Sequence, residues 1–174
     1  MSSHPSFHLV KTDPATKARA GELITPHGMV PTPAFMPVGS QGTVKTLTPD
    51  EIKDTGFAMI LANTYHLYLR PGIEVIERAG GLHNFMRWQG AILTDSGGFQ
   101  IFSLARLRKL TDEGVVFRSH IDGSEHLITP ELAVSYQESL GVDIAMVLDE
   151  CSAHGSFAEA QRAMERTHLW AERC

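Results

Sequence analysis

Ala91-Ile92-Leu93-Thr94-Asp95-Ser96-Gly97-Gly98-Phe99-Gln100 runs from a short apolar stretch directly into an acid, a hydroxyl and two glycines. A continuous apolar run of this length suits a strand buried on both faces, as in a parallel sheet. The same texture recurs at Ala34 to Val38, Phe57 to Leu61 and Asp143 to Leu148. Helix signals lie between these runs. Thr48-Pro49-Asp50-Glu51 sets a capping hydroxyl before proline and acids, and Thr129-Pro130-Glu131 repeats the device before Leu132 to Leu140. Arg70-Pro71-Gly72 opens another helix, which stops at Gly80-Gly81. An amphipathic pattern begins near Phe157 and reaches Cys174 without a C-cap. Strands alternating with helices imply βα units on a parallel sheet, and four such units are too few to close a barrel of eight strands.

Two segments depart from this rhythm. Residues 1–32 are polar and turn-rich, with alternating pieces at Phe7 to Val10 and Ala20 to Ile24 around the breaker Pro26-His27-Gly28, and read as an N-terminal β meander. Residues 33–174 then form the first βα units of one domain. Within them, Val115 to Thr129 places two β-rich pieces around Asp122-Gly123, an inserted antiparallel hairpin.

Composition narrows the function classes. A chain of 174 residues, 43% hydrophobic, can bury one sizeable core. Only two cysteines occur, Cys151 and Cys174, with no CxxC pair and no signal-like run after Met1, which reads as a cytoplasmic chain. No stretch of about 18 apolar residues occurs, so no membrane partner is expected. The net charge of -5 opposes a general nucleic-acid binder, although Arg106, Arg108 and Lys109 form a local basic cluster.

In a parallel sheet, ligands bind at the carboxyl ends of the strands. Those ends read Pro37-Val38-Gly39-Ser40, Ala62-Asn63-Thr64-Tyr65-His66, Thr94 to Gln100, and Asp149-Glu150-Cys151. Asp95 and Asp149 each end an apolar run, and Ser96-Gly97-Gly98 lets backbone amides approach a ligand. A lone Asp-Ser-Gly is commonly just a turn. Two acids at one mouth favour a site, either for a divalent cation held by Asp95, Asp149 and Glu150 or for proton transfer and donor reading on a polar heterocycle. Asn63 favours the heterocycle. Cys151 and His154 are too few for a metal site. His66, His83, His120 and His126 read as polar loop or capping residues, and Phe85, Met86 and Trp88 as core filling or a partner-facing patch.

Taken together, PTPAFMPVG (31–39), NTYHLYLRPG (63–72), GGLHNFM (80–86), LTDSGGFQ (93–100), SHIDGSEH (119–126) and DEC (149–151) resemble the bacterial tRNA-guanine transglycosylases, or queuine tRNA-ribosyltransferases. The resemblance implies the N-terminal part of a (β/α)8 TIM barrel, with an N-terminal β-sheet and the inserted hairpin, incomplete in this chain. It also implies an enzyme that exchanges guanine for the queuosine precursor preQ1 at the wobble position of tRNA, acting as a homodimer at full length. Asp95 would accept and donate the proton. Ser96, Gly97, Gly98 and Phe99 would line the base pocket, Asp149 would read the base edge, and Val38, Leu61 and Asn63 would surround ribose and base. Phe99 stands where some members have tyrosine.

By the same resemblance, the nucleophilic aspartate and a structural zinc site of three cysteines and one histidine are expected beyond residue 174. This segment alone would then bind no cofactor and complete no exchange. The alternatives are a non-catalytic base- or tRNA-binding accessory protein derived from the family, and a metal-dependent barrel hydrolase.

Overall fold

The computed structural model describes residues 6–104, 107–151 and 155–174. Three antiparallel strands come first, β1 (Ser6–Thr12), β2 (Arg19–Thr25) and β3 (Gly28–Thr32), paired in chain order. Next come β4 (Val38–Gly39), α1 (Pro49–Asp54), β5 (Met59–Asn63), α2 (Thr64–Leu69), α3 (Ile73–Arg78), α4 (Leu82–Met86), β6 (Ala91–Asp95) and α5 (Gly98–Leu104). The remainder is β7 (Arg108–Leu110), β8 (Val115–Arg118), β9 (Glu125–Ile128), α6 (Pro130–Leu140), β10 (Ile144–Ala145) and α7 (Phe157–Arg173). Strands β4, β5, β6 and β10 form one parallel sheet in that order. The sheet is open, with β4 and β10 at its edges, and no closed barrel is formed by the described residues.

The expected caps form. Thr48 accepts from Glu51 N at 3.2 Å while Glu51 reaches back to Thr48 N at 2.7 Å, and Thr129 accepts from Leu132 N at 3.3 Å. Ser156 and Glu159 make a second reciprocal box before α7. Two strands are shorter than the apolar runs suggest. Pro33 and Pro37 lack amide donors, so the ladder of the 34–38 run begins only where Leu61 N donates to Pro37 O at 2.9 Å. At Met146 the N–H still reaches Thr94 O at 3.2 Å, but the wholly buried Gln137 takes over there: it accepts from the same N–H at 2.8 Å and donates to Met146 O at 2.9 Å. The inserted hairpin is a three-stranded sheet, because β7 pairs with β8. The charges of Arg108 and Lys109 concealed that strand from a hydrophobic pattern. Arg106 and His154 lie outside the described residues.

The parallel sheet is covered on both faces. Ile60, Ala62 and Ile92 pack against Ile52, Leu67, Ile76, Leu82, Met86, Trp88 and Leu140 from the helices. Met59 and Ala91 on the other face meet Val30 of β3. Met86 and Trp88 are therefore core, while Phe85 keeps 39% exposure. A further cluster of Tyr65, Ile101, Val115, Phe117, Ile128, Leu148 and Trp170 joins the antiparallel sheet to α5 and α7.

Asp143 pins the amino-terminal ends together. Its side chain is fully buried; Oδ1 accepts from His27 Nδ1 at 2.8 Å, and Oδ2 accepts from Ile92 N at 2.8 Å and lies 3.3 Å from His83 Nε2. The histidine rings stack with centroids 3.6 Å apart and an interplanar angle of 16°. His83 is thus part of a buried network rather than a loop residue. Burial pushes the Asp143 carboxyl up, but hydrogen bonds from His83, His27 and the Ile92 amide outweigh it and hold the group at about 2. A lowered folded-state pKa contributes stability above the unfolded value near 3.8, and that contribution is lost as pH falls towards 2. Asp143→Asn is expected to cost about 2 kcal/mol near neutral pH. Urea melts between pH 3 and 7 check this, and a deficit that does not shrink below pH 4 would contradict it.

Candidate active site

The carboxyl ends of β5 and β6 are joined side by side, with Asn63 in register with Asp95. Asn63, 2% exposed, uses both ends of its amide. Its oxygen caps α2 by accepting from His66 N at 3.0 Å, and its Nδ2 donates to Asp95 Oδ2. Asp95 Oδ1 accepts from Thr64 N at 3.2 Å, and the Thr64 hydroxyl donates to Asp95 O at 2.6 Å. Sequence reasoning passed over Thr64, although a hydroxyl immediately after a capping Asn at a strand end is the usable signal.

Burial is the largest influence on Asp95 and raises its pKa. The hydrogen bonds from Thr64, Asn63 and Gly97 pull it down, the charge of Asp149 raises it again, and the result is about 6. This carboxyl can hold or release a proton near physiological pH.

Ser96 connects this acid to the next. Its hydroxyl donates to Asp149 Oδ1 at 3.0 Å and accepts from Gly98 N at 3.2 Å. Both glycines have a steric reason. At Gly97, φ is 83° and a Cβ would lie 2.8 Å from the Tyr65 Cβ. At Gly98 a Cβ would stand 2.6 Å from Asp149 O and Oδ1. Cys151 donates to Asp149 Oδ2 at 3.2 Å. Burial first, then the Asp149 carboxylate, pushes the Cys151 thiol up to about 12, so it is a neutral donor and not a nucleophile.

Glu150 faces elsewhere: its carboxylate pairs with Arg166 of α7, and its backbone amide donates to Thr167 Oγ1 at 3.0 Å. Asp95, Asp149 and Glu150 therefore do not converge as a metal hydrolase would require. The one His/Cys/Asp/Glu group within ligand reach among the described residues is His27, His83 and Asp143. Its near-parallel rings hold their in-plane lone pairs parallel, so these do not converge on an ion.

Of the remaining expected residues, Phe99 in α5 is 59% exposed and Val38 in β4 is 55% exposed, and the partly buried Leu61 pairs with Val38 in the sheet. A cavity of about 20 Å³, bounded by Gly98, Asp149, Cys151 and Trp170, has room for about one water and is too small for a purine. Tyr65 O–H contacts His120 Nδ1 at 2.7 Å and Tyr68 O–H contacts His126 Nδ1 at 2.8 Å, tying α2 to the antiparallel sheet. Burial chiefly, then the charges of His120 and Lys45, lowers the His66 pKa.

Two carboxyl groups in unlike surroundings, Asp95 and Asp149, thus stand close together after parallel strands, with the Ser96 hydroxyl on Asp149 and Phe99 exposed nearby in sequence. Residues 13–174 match the family described as Queuine tRNA-ribosyltransferase, and the chain belongs to that family. It is 64% identical over 168 residues to the queuine tRNA-ribosyltransferase of Desulforudis audaxviator, covering 96% of this chain and 45% of the relative. The corresponding protein of Dehalococcoides mccartyi is 65% identical over 170 residues, 97% of this chain and 43% of its own. That of Symbiobacterium thermophilum is 58% identical over 169 residues, 97% and 42%. The chain spans less than half the length of these curated relatives. No helix among the described residues is long and apolar enough to cross a membrane.

Proposed function

We propose that this chain supplies the base-reading half of a site that exchanges guanine for a guanine-like base, preQ1, in tRNA. The observation that carries the reading is that consecutive residues hold two acids at one place: Asp95 is bound by Asn63 and Thr64, and Ser96, next in the chain, binds Asp149, which also accepts from Cys151. Asp149 presents carboxylate oxygens to ring and exocyclic N–H donors of guanine, Phe99 supplies a stacking face, and Ser96 to Gly98 close the floor. Asp95 gives a proton to the departing guanine and takes one from the incoming base. Val38, Leu61 and Asn63 bound the ribose side.

The parallel strands β4, β5, β6 and β10, each added beside the last in chain order, are the arrangement with which a (β/α)8 barrel begins. At the relatives' length the remaining strands would close it and supply the attacking group. The structural zinc of the resemblance does not fit the residues here: the chain has two cysteines, and Cys151 faces Asp149. The test is incorporation of labelled guanine into unmodified tRNA by the complete gene product. Incorporation is expected; guanine binding without incorporation would favour the accessory-protein alternative instead.

A further inference from the structure

Strand β7 is the outer strand of the antiparallel sheet, and its alternation sends its two cations in opposite directions. Arg108 turns towards α5, where its guanidinium lies 4.2 Å over the Phe102 ring and donates to Phe102 O. There it lines the same small cavity as Gly98, Asp149 and Cys151. Lys109 lies on the other face, opposite Val116, and Arg118 follows two residues later along β8 on that face. The three cations border a surface cleft of about 470 Å³ with Leu107, Phe117 and Glu125. Arg118 and Glu125 are paired at 3.6 Å, but both side chains are more than half exposed, so the pair is weak and readily exchanged for another anion.

A protein of net charge -5 has thus gathered three cations and one acid around a cleft that shares Arg108 with the small cavity beside Gly98, Asp149 and Cys151. Leu107, 65% exposed, lines the cleft, and Phe99, 59% exposed, lies in the first turn of α5, the helix against which Arg108 is braced. A positive groove with aromatic surface beside it fits a looped nucleic-acid backbone.

We infer that the cleft formed by Leu107, Arg108, Lys109, Val116 and Arg118 is a docking surface for RNA backbone phosphates next to the exchanged nucleotide. Lys109 and Arg118 contact phosphates as exposed point charges, while Arg108 stays braced on Phe102 and links the surface to the pocket. This rests on the proposed function only for the identity of the RNA, and direct binding tests it without any exchange step.

The experiment measures binding of a tRNA anticodon stem-loop to the complete gene product across a salt series, with guanine affinity measured alongside. The double variant Lys109→Glu/Arg118→Glu is compared with Lys11→Glu/Lys17→Glu, which makes the same net charge change on exposed residues of the meander. The first variant is expected to bind the stem-loop at least about 10-fold more weakly, with a log–log salt slope shallower by about 1.4, as for two lost single-strand phosphate contacts. Guanine affinity should stay within about twofold, and the control within about threefold of wild type. Equal losses in the two variants, or an unchanged slope in the first, would overturn the surface. If wild type binds the stem-loop with these properties yet exchanges no base, the proposed function fails and the surface stands.

Discussion

Replacing Asp95 with Asn lowers the guanine exchange rate of the complete gene product by roughly 100-fold or more, the usual contribution of a positioned proton-transfer group. The side chain keeps its shape, but its one amide oxygen can keep only one of the bonds that Thr64 N and Asn63 Nδ2 make to separate carboxylate oxygens, so part of the loss is structural and the turnover loss must exceed the loss in base affinity. A pH profile separates chemistry from mere damage. Burial, opposed by the hydrogen bonds of Thr64, Asn63 and Gly97, sets the Asp95 pKa at about 6; the group must be protonated to give a proton to the departing guanine and ionised to take one from the incoming base, so the wild-type rate should fall on both sides of that pH and the variant should lose both limbs.

Stability supplies an independent sign. A carboxyl raised in the folded state contributes stability that is fully present below the unfolded value near 3.8 and is lost as pH rises through about 6. The stability of the Asn variant relative to wild type should therefore rise between pH 4 and pH 8, on top of a pH-independent cost from the donor that the amide leaves unpaired. Wild-type turnover in the variant, or an unchanged acid limb, removes Asp95 from the proposed role.

The elements that were readable from residues alone are those whose information is local. Thr48 and Thr129 before proline start helices by a mechanism that needs no distant partner, and both caps form. Asp122-Gly123 marks the turn between β8 and β9 for the same reason. The failures share the opposite property. Nothing near Met146 in sequence shows that Gln137 will take over the ladder there, and nothing near Asp143 shows that His27, 116 residues away, will cover its carboxylate.

In the candidate site, Asp95, Asn63 and Asp149 could be picked out because each follows an apolar run. Their connection could not, since it depends on β5 and β6 being neighbours and on the Ser96 hydroxyl turning to Asp149. Cys151 was visible only as an isolated thiol. Its contact with Asp149 and its partial burial make it a neutral donor, which no spacing rule distinguishes from a reactive cysteine.

Asp149→Asn should fail in a different way from Asp95→Asn. In the free protein its carboxylate accepts from both the Ser96 hydroxyl and the Cys151 thiol, and a bound guanine would bring further N–H donors to the same two oxygens. An amide offers one acceptor and one donor, so one donor is left facing another donor. An unsatisfied buried donor costs about 1 to 3 kcal/mol, or roughly 5- to 150-fold in guanine and preQ1 affinity. Turnover at saturating base should fall less, because the mismatch persists from the bound state to the transition state.

Gly98→Ala tests whether position or chemistry is responsible. Its added Cβ would press within 2.6 Å of Asp149 O and Oδ1, displacing the carboxylate while leaving it charged. Matching affinity losses in the two variants, measured by calorimetry with guanine and insensitive to chelator, place base recognition on the oriented carboxylate. If chelator reproduces either loss, Asp149 is binding a cation. If Asp149→Asn keeps wild-type affinity, the base edge is read by some other group.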